Sequence, residues 1–371
     1  MSLGIYIHIP FCKAKCLYCD FNSFAGVDSL QPLYLQVLKK EISAMMDIRK
    51  VDSLYIGGGT PTVLQAELLV EILLKIRENF KLSPDCEITV ECNPATMQEE
   101  GFRVLRQGGV NRLSIGLQST DDTELQRLGR IHTFEDFAKC YNDARKAGFE
   151  NISLDLMYGL PGQTMRGWRK TLKEGVSFRP EHISCYGLKL EEGTPLFLQN
   201  PVLPDDDSVA EFYDYCVNYL GEQGYERYEI SNFSLKGRES RHNCKYWQCE
   251  DFIGFGAGAY SCVNDIRYAN IGDIRKYCDY INNGKSVINE KTPLSLEDKM
   301  SEFCFLGLRT AKGISVREFY DRFHQNIEDV YGTVITKNLR RGTLLRFDDR
   351  ISIAPEFFYV SNSILADFIE L

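Results

Sequence analysis

The first two-thirds of the chain alternate short β-branched or aromatic runs with amphipathic patterns, and this alternation restricts the possible folds more than any other feature. Six runs are typical of strands, over 4–9, 53–56, 87–91, 112–117, 152–157 and 182–190. Helical patterns separate them, on the stripe Tyr34, Leu38, Ile42 and Met45, on the stripe Leu69, Ile72, Leu73, Ile76 and Phe80, and over 134–147 and 165–178. Because strands that alternate with helices pair in parallel, the sequence predicts an α/β fold with six β/α units up to residue 223.

Polar or glycine-rich segments mark the ends of five consecutive predicted strands. They are, in order, a cysteine cluster, the run 57–61, Glu91 with Asn93, Gln118, and Asp155 late in the fifth strand. The carboxyl ends of parallel strands meet at one end of a barrel or one edge of a sheet, where such folds carry their active sites. We therefore expect one shared pocket at this end.

The alternation stops after residue 223, which indicates further regions of a different kind. Aromatic and glycine-rich segments occupy 224–294, and a helical region begins near Ser295 and ends in short β-like pieces at 344–347 and 351–354. We predict an α/β domain over 1–223, an extension and connecting segment over 224–294, and a small, mainly helical domain over 295–371.

The composition is that of a globular protein that does not coat nucleic acid. The 371 residues carry 43 Lys and Arg against 52 Asp and Glu, a formal charge of −9, so no dominant basic face is expected. No run approaches the ~18 apolar residues of a membrane span, and the amino terminus lacks the charged and apolar regions of a secretion signal. We predict a cytoplasmic protein with no transmembrane segment and no nucleic-acid partner.

Three of the thirteen cysteines form a cluster. Cys12, Cys16 and Cys19 follow the first predicted strand with the spacing C-x3-C-x2-C. A cytoplasmic protein keeps its thiols reduced, so clustered cysteines indicate metal binding. Three thiolates suit an iron–sulfur cube with one open iron, or a zinc ion whose fourth ligand Asp20 or His8 would supply only poorly. The spacing favours iron–sulfur, while zinc and accidental clustering stay open.

The cysteine motif, with Tyr18 before its last cysteine, resembles that of the radical S-adenosylmethionine (SAM) superfamily. The surrounding motifs resemble the subgroup that contains oxygen-independent coproporphyrinogen III dehydrogenase and the HemW-type haem chaperones. They are YIHIPFC at 6–12, GGGTPT at 57–62, TVECNP at 89–94, SIGLQS at 114–119, LGRIH at 128–132 and DLMYGLPGQT at 155–164. The resemblance implies a partial (β/α)6 TIM-like barrel of the radical SAM type. It also implies that three cysteines hold a [4Fe–4S] cluster and that SAM chelates the fourth iron.

The resemblance assigns roles to the residues at the strand ends. It implies cluster binding by Cys12, Cys16 and Cys19. The residues that it implies for SAM are Tyr6, Tyr18, Gly58, Gly59, Thr60, Glu91, Gln118, Arg130 and Asp155. Without the family, the glycines at 57–59 already allow close backbone approach to a ligand, and Asp155 inside an apolar run needs a partner. His8 is expected to be a packed histidine rather than a metal ligand.

Two features favour the haem-chaperone branch. Phe21 stands where the coproporphyrinogen dehydrogenases usually carry a fourth cysteine, which argues against that activity. RHNCKYW at 241–247 matches the H-N-x-x-Y-W signature of HemW-like proteins, and YGLKLEEGTPL at 186–196 resembles another of their stretches. Haem contacts are thereby implied for His242, Tyr246 and Trp247, since imidazole is a common haem ligand and the two aromatic rings offer flat faces. The alternative for His242 is a packed, hydrogen-bonded corner.

The leading hypothesis is a haem chaperone with radical SAM architecture. It would hold a [4Fe–4S] cluster, SAM and haem, and would pass haem to an acceptor protein. The alternative is an oxygen-independent coproporphyrinogen III dehydrogenase that decarboxylates its substrate oxidatively in haem biosynthesis. A third hypothesis, a zinc-loop protein whose barrel binds another nucleotide, depends on the cysteines alone. The sequence assigns no catalytic residue.

Overall fold

A computed structural model describes residues 2–369, which contain one sheet of twelve strands, one of three and one of two. The strands are β1 (Leu3–Ile9), β2 (Phe11–Cys12), β3 (Phe24–Ala25), β4 (Asp47–Gly58), β5 (Phe80–Cys92), β6 (Arg112–Gln118), β7 (Ile152–Tyr158), β8 (His182–Gly187), β9 (Glu226–Arg227), β10 (Asn232–Ser234), β11 (Phe252–Phe255), β12 (Tyr260–Val263), β13 (Ile266–Asn270), β14 (Ile288–Pro293), β15 (Ile314–Ser315), β16 (Leu344–Phe347) and β17 (Arg350–Ile353). The helices are α1 (Gln31–Ala44), α2 (Ala66–Asn79), α3 (Glu99–Gln107), α4 (Asp122–Arg127), α5 (Phe134–Lys146), α6 (Met165–Ser177), α7 (Pro195–Gln199), α8 (Asp206–Glu222), α9 (Arg241–Trp247), α10 (Ile274–Asn282), α11 (Leu296–Gly307), α12 (Val316–Phe323), α13 (Ile327–Arg341) and α14 (Ser361–Ala366).

Seven neighbouring strands of the large sheet run parallel, in the order β11-β1-β4-β5-β6-β7-β8. Six of them, β1 and β4 to β8, confirm the six strands predicted from the alternation. The four predicted helical patterns correspond to α1, α2, α5 and α6, with Met45 and Phe80 just beyond the helix ends. Parallel strands need long crossovers, and helices α1 to α6 supply them.

The seventh parallel strand, β11, comes from the extension and pairs with β1 from Gly4↔Phe252 to Ile7↔Phe255. The sequence did not predict it, because its four residues include a glycine and lead into two more glycines, which leaves little periodicity. Gly254 is required at this point, since a Cβ there would lie 2.1 Å from the carbonyl oxygen of Tyr260. Antiparallel strands then extend the sheet, β12 to β14 at one edge and β10 and β9 at the other.

The parallel strands are buried on both faces, and the two faces differ in chemistry. Ile7 of β1 and Leu113 of β6 belong to the hydrophobic core that includes the helices. Their neighbours Tyr6 and Ser114 alternate to the opposite, inner face. Polar groups on this inner face bond to one another, for example the Ser114 hydroxyl to the Asp155 carboxylate at 3.2 Å. The inner face is therefore where the strand-end residues of the site converge.

Helices α11 to α14 and a three-stranded sheet, β15-β17-β16, form the C-terminal region. The β-like pieces predicted at 344–347 and 351–354 correspond to β16 and β17. The domain boundaries at 223 and 294 stay predictions, and the large sheet continues past the first of them through β11. Among residues 2–369, none of the helices combines the length and apolar character needed to cross a bilayer.

Candidate metal and cofactor site

A cavity with about 690 Å³ of empty space lies at the carboxyl ends of the parallel strands. We call it the cluster cavity. Its walls include all but one of the residues predicted for the cluster and SAM, namely Cys12, Cys16, Tyr18, Cys19, Gly58, Gly59, Thr60, Glu91, Gln118, Arg130 and Asp155. The structure thus brings residues of four parallel strands, β4 to β7, and the cysteine loop after β1 to one pocket.

The three cysteine sulfurs each have a donor side chain close by. The Thr60 hydroxyl donates to Cys12 Sγ at 3.7 Å, the Arg130 Nη1 donates to Cys16 Sγ at 3.5 Å, and Cys19 Sγ lies 3.8 Å from the Ser23 hydroxyl. Hydrogen bonds and a nearby cation stabilise thiolate sulfur. Three soft donors around one cavity fit an iron–sulfur cluster.

Burial raises the pKa of the Cys12 and Cys19 thiols. A bound metal centre is therefore needed to hold them as thiolates near neutral pH. Within residues 2–369, no three His, Cys, Asp or Glu side chains converge closely enough to hold a single metal ion.

Hydrogen bonds hold the cysteine loop in place, both within the loop and between the loop and the extension. Lys15 Nζ donates to the carbonyl oxygens of Phe21 at 2.9 Å and Ser23 at 3.1 Å, which closes the loop on itself. Asn22 Nδ2 donates to the carbonyl oxygens of Ala257 and Gly272, both at 3.1 Å. The cysteine loop is therefore attached to the extension that supplies β11 and β12.

Arg130 connects the cysteine loop with the ends of β5 and β6. Its Nη2 donates to Asn93 Oδ1 and to the Gly116 carbonyl oxygen, both at 2.7 Å, while Nη1 reaches Cys16. Asn93 in turn donates to the Thr60 hydroxyl at 2.7 Å, and that hydroxyl bonds Cys12. One continuous set of hydrogen bonds thus joins two of the three sulfurs.

From its sequence position, Arg130 is predicted to bind the polar groups of SAM, whereas Asn93 has no predicted role. The structure shows contacts of Arg130 with protein groups, and its contact with SAM stays a prediction. Asn93 was visible as one of the polar residues that follow a strand. Its function as the link between Arg130 and Thr60 could not be inferred, because that link depends on how the two strand ends meet.

The glycine run after β4 fits closely against its neighbours. Gly58 has φ +116°, and a Cβ there would lie 2.6 Å from the His8 ring. A Cβ at Gly59 would lie 2.7 Å from the Phe11 carbonyl oxygen and 3.0 Å from Cys12 Sγ. Gly58 therefore packs against β1 and Gly59 against the cysteine loop, and close approach of either glycine to a ligand stays a prediction.

Two half-buried carboxylates, Glu91 and Asp155, line the cavity. Glu91 accepts hydrogen bonds from the Tyr55 hydroxyl at 2.8 Å and from the Gly58 amide at 3.1 Å. Burial, with the Asp155 charge as a further cause, raises the pKa of Glu91 to about 7. Burial also raises the pKa of Asp155, which accepts from Ser114. Two acidic groups in one enclosed pocket favour a cationic ligand.

Gln118 ends β6 in a conformation that side chains rarely adopt. Its φ is +67°, and the pairing of β6 with β7 shifts register between Gly116 and Gln118. A non-glycine residue held in this region stores strain, and such residues cluster at functional sites. The irregularity aims Gln118 into the cluster cavity, where the sequence predicted it.

Tyr6 is the predicted SAM residue that the structure does not place on the cluster cavity. It lines a second cavity of about 870 Å³, with His8, Phe21, Asn22, Gly58, Glu91, Tyr246, Phe252, Gly258 and Tyr260. We call this the aromatic cavity. The Tyr6 hydroxyl donates to His8 Nδ1 at 3.0 Å, and His8 Nε2 donates to the Asn22 carbonyl oxygen at 2.8 Å. His8 is thus the packed histidine that was expected.

The three residues predicted for haem do not share one surface. His242 is 1% exposed; its Nδ1 shares a hydrogen bond with Ser53 at 3.1 Å and its Nε2 one with Tyr246 at 2.8 Å. Burial lowers the pKa of His242 to about 3, so it is neutral. Tyr246 lines the aromatic cavity, whereas Trp247 lines a different cavity beside α12 and stacks under Arg309 at 4.7 Å. These contacts describe the packed corner that was the alternative for His242.

Two family models match parts of this chain, and known relatives match nearly all of it. Residues 6–175 match the model of the radical SAM superfamily, and residues 294–356 match that of the HemN C-terminal domain. The chain is 37% identical to the haem chaperone HemW of Lactococcus lactis, over 98% of this chain and 96% of the relative. It is 34% identical to the haem chaperone HemW of Bacillus subtilis, over 98% of each chain.

A solved structure also resembles this one over nearly its whole length. Coproporphyrinogen III oxidase (HemN) from Escherichia coli, a radical SAM enzyme, superposes with a TM-score of 0.88 at 22% identity, covering 99% of this chain and 90% of the other. At that identity the match concerns the fold. It confirms the predicted radical SAM type of α/β architecture with a C-terminal helical domain.

Replacing Cys16 by Ser removes one of the three sulfur donors. Two sulfurs cannot retain a cube of iron and sulfide, so we expect bound iron and labile sulfide to fall close to background after anaerobic reconstitution. Both are measured chemically, with EPR of the reduced sample. Cys262→Ser, which removes a thiol outside the cluster cavity, should keep the wild-type content. A C16S protein with a full complement of iron and sulfide would contradict the assignment.

Proposed function

The chain belongs to the HemW family of radical SAM proteins, and from this premise we propose that it is a haem chaperone, which binds haem and delivers it to an acceptor protein. The observation that carries the proposal is the identity to haem chaperones named HemW across almost the entire length of both chains. The H-N-x-x-Y-W motif at 241–247 supports it, as does an aromatic cavity beside the cluster cavity. We further propose that the protein works in the cytoplasm, without a nucleic-acid partner, and that its domains divide at 223 and 294.

We propose that Cys12, Cys16 and Cys19 hold a [4Fe–4S] cluster. When bound there, the cluster would supply an electron to the sulfonium of SAM. The contribution of the chain is to position the cluster. Arg130 places positive charge beside Cys16 and ties the cysteine loop to β5 and β6, while Lys15 closes the loop.

The predicted SAM residues would bind and orient the nucleotide at the strand ends. Glu91 and Asp155 offer negative charge to the cationic methionyl part, and Gly58 and Gly59 present bare backbone. Tyr18, Thr60 and Gln118 complete the wall, and Tyr6 would act from the adjoining cavity. The surrounding side chains exclude water from the bound nucleotide, which strengthens these electrostatic contacts.

We propose haem contacts for three residues of the motif at 241–247, and their surroundings differ. Tyr246 offers a ring to the aromatic cavity, and Trp247 is the weaker contact because its ring faces another cavity. Axial ligation by His242 requires that its bond to Ser53 or to Tyr246 breaks first. His242 otherwise positions the Tyr246 hydroxyl.

A haem titration beside an enzyme assay tests the proposal. Purified, reconstituted protein is expected to develop a Soret band that saturates at one haem per chain. The same sample, given SAM, dithionite and coproporphyrinogen III without air, should yield no protoporphyrinogen, because Phe21 replaces the fourth cysteine of the dehydrogenases. Product formation that depends on coproporphyrinogen would instead establish the dehydrogenase.

His242→Ala isolates the motif in the same titration. We expect a weaker or spectrally shifted haem complex, because Tyr246 loses its bonding partner and one ligand is removed. His324→Ala, at an exposed histidine in the C-terminal region, serves as the matched control and should titrate as the wild type. An unchanged spectrum and affinity in H242A would remove His242 from the haem contacts.

The affinity for SAM should depend on pH through Glu91. Its pKa of about 7 means that the carboxylate is charged above that value and mostly protonated below it. SAM is cationic, so we expect its affinity to rise with pH up to about 7 and then level off, with a loss of up to tenfold per unit below. Equilibrium dialysis without reductant measures it. Glu91→Gln should bind SAM more weakly, and its affinity should no longer rise with pH up to about 7. If the pH profiles of the wild type and of E91Q are parallel, Glu91 does not contribute its charge to SAM binding.

A further inference from the structure

The cluster cavity and the aromatic cavity are neighbours that share three lining residues, Phe21, Gly58 and Glu91. We propose that haem occupies the aromatic cavity, side by side with SAM in the cluster cavity, and that this shared wall makes each ligand strengthen the binding of the other. The inference rests on the proposed function, since it takes haem as the planar ligand. It adds where the haem lies and how SAM regulates it.

The lining of the aromatic cavity suits a binding site for a planar, conjugated ligand. Five tyrosine and phenylalanine side chains line it, namely Tyr6, Phe21, Tyr246, Phe252 and Tyr260. Tyr246 packs edge-on against Phe252, with ring centroids 4.7 Å apart, which fixes the orientation of the motif tyrosine. Tyr260 is 56% exposed and stands free to close over a ligand. Aromatic rings stack on a macrocycle through dispersion and quadrupole interactions, and the low charge of this lining suits its apolar face.

The wall between the two cavities is thin at Gly58. This residue lines both cavities and has no side chain, and a Cβ there would lie 2.6 Å from the His8 ring, so no larger residue fits at this point of the wall. The Gly58 amide donates to Glu91 Oε2, and Tyr55 holds the other oxygen of that carboxylate. A ligand that orders Glu91 from one side therefore also orders the surface that the other ligand meets.

Phe21 is the movable part of the wall. Its side chain is 65% exposed although it is a large apolar ring, and it projects from the cysteine loop. Lys15 holds its carbonyl oxygen, and the next residue, Asn22, is bonded to Ala257 and Gly272 of the extension. The backbone at Phe21 is thus fixed from both sides, while the ring is free to cover a ligand.

The expected sign of the coupling follows from this freedom. The first ligand to bind fixes the Phe21 ring and removes its exposed apolar surface from water. The second ligand then meets an ordered wall and does not lose that conformational entropy again. Coupling between two sites is reciprocal, so SAM must raise the affinity for haem by the same factor as haem raises the affinity for SAM. Typical couplings correspond to about fivefold or more.

The test measures both affinities on the reconstituted full-length protein, with no reductant present so that SAM stays intact. The affinity for SAM is determined by equilibrium dialysis with and without saturating haemin. The affinity for haemin is determined from the Soret titration with and without saturating SAM. We expect each ligand to tighten the other about fivefold or more, by equal factors. If haemin binds but leaves the affinity for SAM unchanged or lowers it, the side-by-side arrangement is wrong.

Variants assign the coupling to the shared wall. Phe21→Ala removes a ring that lines both cavities, so each ligand alone should bind more weakly and the coupling factor should fall close to one. Phe347→Ala, at a phenylalanine 79% exposed in the C-terminal region, should keep the wild-type factor. Iron content is determined first for every variant. Tyr260 lies away from the cysteine loop, so Tyr260→Ala should lower the affinity for haemin about tenfold and leave the affinity for SAM alone at the wild-type value. An unchanged affinity for haemin would show that haem does not bind in the aromatic cavity.

The outcomes separate the two levels of the hypothesis. If the protein binds haemin stoichiometrically, but SAM, F21A and Y260A have no effect on that binding, haem does not occupy the aromatic cavity. The haem-chaperone proposal is then unaffected. Protein that binds no haemin at all overturns the proposed function itself. Equal coupling factors that disappear in F21A support both.

Discussion

The bonds of Arg130 are the interaction on which the rest of the site depends. One guanidinium joins the cysteine loop, the end of β6 and, through Asn93 and Thr60, the first cysteine. No single strand can fix three sulfurs that lie on a loop, because a loop has few backbone hydrogen bonds of its own. A rigid, planar donor set is suited to this function, since it holds several acceptors in fixed directions. A lysine would supply the charge without that geometry.

The polar inner face explains how such a site can exist within a buried sheet. Parallel strands are ordinarily apolar on both faces. Here one face packs against helices with Ile and Leu side chains, while the other carries tyrosines, serines and carboxylates that bond to each other. Each buried polar group costs free energy unless it has a partner, so the inner face is stable only as a connected network. Glu91, bonded to Tyr55 and Gly58, belongs to that network and to the wall of both cavities.

The six strands, the four helical patterns and the common pocket were predictable, because periodicity and the position of strand ends follow directly from local sequence. The exceptions depend on tertiary contacts. β11 is a four-residue, glycine-bearing segment whose pairing with β1 is decided by a strand some 250 residues away. Tyr6 alternates to the inner face as its strand requires, but the placement of a second cavity there depends on Tyr246 and Tyr260 from the extension. The partners of His242 are likewise distant in sequence.

Phe21 illustrates how one side chain changes the chemistry at the boundary of the two cavities. A thiol at this position would add a nucleophile and a metal ligand at the boundary of the two cavities. A phenyl ring provides neither, and instead contributes apolar surface to both. Exposure of this ring to water is unfavourable, and the free energy of burying it is gained only when a ligand covers the ring. An exposed aromatic ring at such a boundary provides a surface for a planar ligand, in line with the proposed binding of haem.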